Sequence, residues 1–182
     1  MGDENKLLLP FNGDLVINQI CHTVLNSGLK PVIVVTGFQH RAVEPALPES
    51  IDQIAYNPNW EQGMAGSVYT GMSLLPDTID GNMIVLGDMP LLTTRTLNRL
   101  IEKFCANEGK QIIYPVYSGQ QANPVIFPRK YFSEILSSTG DRGCKKVLKQ
   151  YPYDTIGISI DSDEVILDCN TKDDYIRIIS KN

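Results

Sequence analysis

The sequence predicts a three-layer α/β domain, with helices on both faces of a sheet that is mostly parallel and carries one late antiparallel strand. Three observations support this. β-rich runs alternate with amphipathic stretches along the whole chain. The interior runs are continuously apolar, as in strands covered on both faces. Several of these runs close on a polar residue or a glycine. At 182 residues, the chain has the size of a single domain, 1–182, with room for a sizeable core.

The elements follow in order. Val16, Ile17, Ile20, Cys21, Val24 and Leu25 recur at helical spacing, and Ser27-Gly28 supplies a stop. "PVIVVT", Pro31 to Thr36, is an apolar strand ending at Gly37. A short helical stretch, 42–47, leads to a second strand, 51–56, and a helix over 62–75. "NMIVLGD", 82–88, is the clearest central strand, and 93–105 is an amphipathic helix entered through Thr93 or Thr94. "QIIYPVY", 111–117, is a strand whose partner, 121–127, returns across Ser118-Gly119. Helices near 129–138 and 142–150, strands near 154–160 and 165–168, and a helix near 172–180 complete the chain. Such a sheet is Rossmann-like.

Composition narrows the function. The formal charge of −5 argues against nucleic acid as a partner. No apolar run approaches the roughly 20 residues that cross a membrane. Asp3 and Glu4 stand where an export signal would be basic. Cys21, Cys105, Cys144 and Cys169 are scattered, without metal-site spacing, so reduced thiols and a cytoplasmic location are expected. No G-x-G-x-x-G follows a strand, which disfavours a dinucleotide oxidoreductase.

In open α/β sheets, ligands bind beyond the carboxyl ends of the strands. Thr36-Gly37, Asn57, Asp88 and Asp168 occupy such ends. Asp88 alone reads equally as a turn or cap residue, and Asp168 reads more readily as one because "NTKDD" resembles an N-cap region, but together they suit Mg²⁺, which takes one or two carboxylates plus phosphate oxygens. Lys6 offers a point charge for phosphate, although a lysine near a terminus is ordinarily just solvated. In "NPNWEQGMAGSVYTGM", Gly63 and Gly66 flank a helix start with Ser67 in its first turn. That start either offers N–H groups to an anion or is a simple cap with Trp60 packing. Arg142, Lys145, Lys146 and Lys149 form a basic stripe, by default a solvated face.

"NKLLLP", "VVTG", "NPNWEQGMAGSV", "VLGDMPLLT", "NPVIF", "TGDRG" and "LDCNTKDD" occur in the order found in the MobA-like nucleotidyltransferases, and the chain resembles that family over nearly its whole length. "TGDRG" and the tryptophan-containing motif are similar to the branch that makes the cytidylylated molybdenum cofactor. The resemblance implies a nucleotidyltransferase sheet and Mg²⁺-dependent transfer of CMP from CTP to the phosphate of molybdopterin bearing molybdenum. Pyrophosphate is released, and a molybdenum hydroxylase is the implied recipient of the product. It makes Lys6 and Asp88 catalytic, and assigns Asp88 and Asp168 to the metal. Asn170 stands where the family often has an acid. Lys6, Thr36, Gly37, Asn57, Gly63, Met64, Ser67 and Asp88 are the implied nucleotide site. Asn123, Gly140, Asp141, Arg142 and Gly143 are the implied pterin site. Such a transfer needs positioning and charge neutralisation more than a general base, and His22 and His40 supply no obvious one. The alternatives are use of GTP, a sugar-phosphate acceptor, or a non-catalytic accessory protein that binds the cofactor.

Family members open with a strand and a loop of the form L-A-A-G-x-S-x-R-M-G before the K-L-L lysine, whereas here only Met1-Gly2 matches. The expectation is that the coding start lies upstream of Met1, with a genuine truncation or a degenerate relative as alternatives. Without that strand, its two neighbours in the sheet would carry unpaired backbone groups.

Overall fold

The computed structural model describes residues 5–137 and 143–181. It begins with a 3-10 turn, Lys6–Leu8, followed by a two-residue hairpin, β1 (Pro10–Phe11) and β2 (Asp14–Leu15). Asn12 and Gly13 turn the hairpin at φ of 51° and 81°. Both values are positive, as a type I′ turn requires. Helix α1 (Val16–Leu25) follows directly.

Two sheets form the interior. In the first, β3 (Ile33–Thr36) runs parallel to β4 (Gln53–Tyr56), from Ile33 opposite Gln53 to Thr36 opposite Tyr56. Helix α2 (His40–Val43) lies between these strands in sequence, and α3 (Met64–Met72) follows them. The second sheet has five strands: β5 (Gly81–Ile84), β6 (Ile112–Tyr117), β7 (Gln120–Gln121), β8 (Val125–Pro128) and β9 (Thr155–Ser159). Strand β8 lies between β5 and β6 and is antiparallel to both, while β9 runs parallel to β6. Strands β5, β6 and β9 therefore share one direction, and β7 and β8 run against them, so the late reversed strand expected over 121–127 is present as two short pieces. The remaining helices are α4 (Thr94–Ala106), α5 (Phe132–Leu136), α6 (Gly143–Gln150) and α7 (Lys172–Ile179).

The period-2 alternation of strand side chains builds the layers. Ile112, Val125 and Phe127 pack on one face with Met72 of α3, Ile135 of α5, and Val147 and Leu148 of α6. Ile113 and Ile126 point to the other face, against Leu100 of α4. A further cluster joins the two sheets: Ile17, Ile20 and Cys21 of α1 meet Met89, Leu92 and Leu97, with Val34 of β3 and Met83 of β5 packed against them. Among the described residues, β4 is the one ladder partner of β3, and β8 is the one ladder partner of β5. The join between the sheets is therefore made by side chains.

Several boundaries differ from the sequence reading. The strand expected to reach residue 88 leaves its ladder after Ile84, and Val85 and Leu86 continue into the core without strand pairing. The strand expected near 165–168 does not form: the Ser162 side chain accepts from the Glu164 N–H and starts a 3-10 turn over 163–165, the Ile166 and Leu167 N–H groups donate back to the Asp163 carbonyl, and 167–168 lie outside any strand. Of the two candidate caps at α4, Thr93 holds the position, accepting from the Thr96 N–H at 3.2 Å.

Phe127 is fully buried in the reversed strand. Phe127→Ala should lower the unfolding free energy by about 3–5 kcal/mol in urea titrations. Tyr153→Ala, at a site 97% exposed, should change it by less than about 0.5 kcal/mol. At α7, Thr171 and Asp174 form a capping box, so Thr171→Ala should cost about 1 kcal/mol in the same assay.

Candidate active site

Three distant stretches of chain converge at the carboxyl end of β5. The first is the turn at residues 5–8. Asn5, itself buried, accepts from the Leu7 N–H through Oδ1 at 3.0 Å and donates through Nδ2 to the Phe38 carbonyl at 3.4 Å. One side chain thus caps the Lys6 turn and ties it to the loop leaving β3. The second stretch is Gly87-Asp88. A Cβ at Gly87 would lie 3.1 Å from Ile17 Cδ1 and 3.8 Å from Leu7 Cδ2, so glycine lets the Asp88 backbone settle against these two side chains. The third is 168–170, pinned by the Cys169 N–H donating to the Asp88 carbonyl at 2.8 Å.

At this junction Lys6 Nζ donates to Asp88 Oδ2 and to Asn170 Oδ1, each at 2.6 Å. Asn170 Nδ2 in turn donates to Asp168 Oδ2 at 2.7 Å. The Asp88 side chain is 16% exposed and that of Lys6 30%, so the pair is shielded yet reachable from solvent. Burial holds the neighbouring Cys169 thiol above its ordinary range, with Lys6 opposing the effect and Asp88, Asp174 and Asp168 adding to it. Burial also pushes Cys21 and Cys144 up to about 11. Such thiols are protonated at neutral pH and are not nucleophiles. The chemistry available at the junction is a cation, two carboxylates and an amide oxygen.

A cavity of about 300 Å³ opens beside it, lined by Asn5, Lys6, Leu7, Thr36, Gly37 and Phe38 among others. The Thr36 hydroxyl donates to Glu44 Oε1 at 2.7 Å, a bond that braces the strand end. Asn57, 3% exposed, donates through Nδ2 to Ser67 Oγ at 3.1 Å and accepts from the Asn59 N–H at 2.9 Å. The pair fixes the loop that carries Trp60. Gly63 ends this loop at φ 104°, a conformation disfavoured for other residues, and Met64 opens α3 half exposed.

The structure brings Lys6, Asp88 and Asp168 together, and sets Thr36 and Gly37 in the adjoining cavity. Asn57 and Ser67 shape the loop. Asn123 precedes β8, its N–H donating to the Val165 carbonyl at 3.1 Å. Gly143 opens α6. Gly140, Asp141 and Arg142 lie outside the described residues. Sequence reasoning missed Asn5 and Phe38, and had Asn170 only as a departure from a pattern. The signal for Asn170 was its spacing of two from Asp168. Asn5 had no signal beyond its place before the lysine. No helix among the described residues is long and apolar enough to cross a membrane.

The chain is similar in sequence and fold to known proteins. The MobA-like NTP transferase domain profile matches residues 1–156. Nicotine blue oxidoreductase of Paenarthrobacter nicotinovorans is 24% identical, over 98% of this chain and 90% of its own. The molybdenum cofactor cytidylyltransferase of Escherichia coli is 23% identical, over 94% of this chain and 85% of its own. Among solved structures, Rv0371c of Mycobacterium tuberculosis superposes with a TM-score of 0.85 at 25% identity, covering 97% of this chain and 89% of that one. A manganese complex of the same protein gives 0.83 at 23% identity, covering 97% and 92%. With its mixed α/β sheet and its match over residues 1–156, the chain belongs to the MobA-like NTP transferase domain family, and is a nucleotidyltransferase of that family.

Proposed function

We propose that this nucleotidyltransferase moves CMP from CTP to the phosphate of molybdenum-bearing molybdopterin, in a reaction that requires Mg²⁺. The observation behind this reading is the convergence of Lys6, Asp88, Asp168 and Asn170 at one sheet edge. The donors fit a hard divalent cation, since Asp88 and Asp168 offer carboxylate oxygens and Asn170 an amide oxygen. When bound there, such an ion draws charge from the phosphates and orients them.

The chain's own residues do the rest. Lys6 supplies a fixed positive charge where negative charge gathers on the transferring phosphorus. Asn170 orients Lys6 from one side and Asp88 from the other. The α–β phosphoanhydride bond breaks as an oxygen of the acceptor phosphate bonds to the α-phosphorus, and pyrophosphate leaves with the bonding electrons. The acceptor is already ionised at neutral pH, so no side chain has to take a proton. This agrees with a junction that offers no histidine. The cytidylyltransferase relative, aligned over most of both chains, supports CTP and the molybdenum cofactor as the substrates.

Asp88→Asn should reduce Mg²⁺-dependent pyrophosphate release by roughly 100-fold or more, the cost of losing a charge aimed at the reacting group. Its circular dichroism should stay unchanged. A wild-type rate in this variant would remove Asp88 from the reaction. CTP should outcompete GTP in the same assay. Equal or inverted preference would reassign the nucleotide. In the free protein, Lys6 occupies the Asp88 and Asn170 oxygens that a cation needs. Lys6→Gln should therefore bind Mn²⁺ more tightly by electron paramagnetic resonance titration, while turning over more slowly.

A further inference from the structure

Beyond the charged junction, aromatic rings gather at the carboxyl ends of β3 and β4, in a chain with only 14 Phe, Trp and Tyr residues. Phe38 is 45% exposed and Tyr56 43%. Phe38 leans on Trp60 with ring centroids 5.3 Å apart and planes tilted by 57°. Tyr56 already has one face covered, by His40 at 3.9 Å, so Phe38 is the ring set against the cavity.

Its position is built into the backbone. A Cβ on Gly37 would fall 2.6 Å from Trp60 Cβ, so only glycine lets the tryptophan close on the strand end. The Asn57 bonds to Ser67 and Asn59 fix the loop that presents Trp60. The Phe38 carbonyl accepts from Asn5, the residue that caps the Lys6 turn. Phe38 and Lys6 thus line one cavity and share one anchor.

An exposed ring costs hydration, and stacking on a second planar ring offsets that cost. A cavity with a ring wall and a phosphate-seeking ammonium fits a molecule carrying both a planar heteroaromatic ring and a phosphate. We propose that Phe38, backed by Trp60, is the stacking surface for that ring. The inference rests on the nucleotidyl-transfer reading above. The chemistry is shared by a nucleobase and a pterin, and the experiment separates the two.

Trp60 is the one tryptophan in the chain, so its fluorescence reports on this surface alone. The protein is titrated in Mg²⁺ with CTP, with a phosphorylated pterin and with inorganic triphosphate, while calorimetry records binding independently. The expected result is a change in Trp60 emission with one ring-bearing ligand and none with triphosphate. Phe38→Ala should weaken that ligand at least fivefold, the lower end of what one stacked ring contributes, and Phe38→Tyr should restore binding. Triphosphate affinity should be the same in all three proteins. A response to CTP assigns the surface to the base, and a response to the pterin assigns it to the acceptor. If a ring ligand binds by calorimetry with Trp60 silent and Phe38→Ala unchanged, the stacking surface is overturned while the nucleotidyl reading stands. If CTP, the pterin and triphosphate all fail to bind, both are overturned.

Discussion

The contact between Lys6 and Asp88 is the constraint on which the site depends. The two residues are separated by 82 positions, and Lys6 and Asn170 by 164, so one ammonium closes two of the longest loops in the chain. Loop closure carries an entropic cost that grows slowly with length, and the buried clusters around Leu7, Ile17 and Cys169 offset it. A partly shielded charge pair adds little net stability by itself, because desolvation consumes much of the attraction. Its effect is positional. The lysine turns three loosely related chain ends into one junction, and a carboxylate left there without it would be a charge at 16% exposure with its neighbours aimed at nothing.

The join between the two sheets gives the junction its setting. Strands β3 and β5 meet through Val34, Met83 and the α1 side chains, and no backbone ladder links them among the described residues. Side-chain packing resists separation but tolerates sliding far better than a ladder does, since each contact is weak and non-directional. The cavity that holds Lys6 and Phe38 sits beside this join, between the part of the molecule carrying β3 and β4 and the part carrying Asp88. Motion across it would move the ring wall relative to the charged junction. Segments with few backbone bonds open at lower free energy than core strands.

Much of this was legible in the sequence, and the failures have physical causes. Continuous apolar runs revealed the buried strands, because a strand covered on both faces has no polar side to show. The reversal of β8 was readable from the Ser118-Gly119 turn, where Ser118 adopts φ 48° and Gly119 φ 77°. Asp88 and Asp168 were readable as strand-end acids, yet neither ends a strand. Asp88 lies in a turn past the end of β5, and Asp168 in unpaired chain after the 3-10 turn at Asp163–Val165, because packing decides where a ladder stops. The Asn12-Gly13 hairpin was overlooked although its dipeptide is a strong turn signal. Asn5 was invisible because its role depends on the Phe38 carbonyl 33 residues away, and single-sequence patterns carry no information about such pairs. Residues 138–142, which hold most of the implied pterin site, have no structural counterpart among the described residues.

The exit from β5 shows how the chain reconciles packing with chemistry. If the strand continued to residue 88, alternation would place Asp88 on the same face as Leu86 and Ile84, inside the core. Burying an unpaired carboxylate there would be prohibitive. Leaving the ladder after Ile84 lets Val85 and Leu86 keep their apolar contacts. Gly87 then brings the backbone against Ile17 and Leu7, and Pro90, nearly fully buried, keeps the chain from resuming a strand. The aspartate emerges beside the backbone of Cys169, with Lys6 opposite. Its reach toward solvent is therefore a consequence of a strand cut short. The same truncation leaves the Lys6 turn and the 168–170 segment room to converge on one carboxylate.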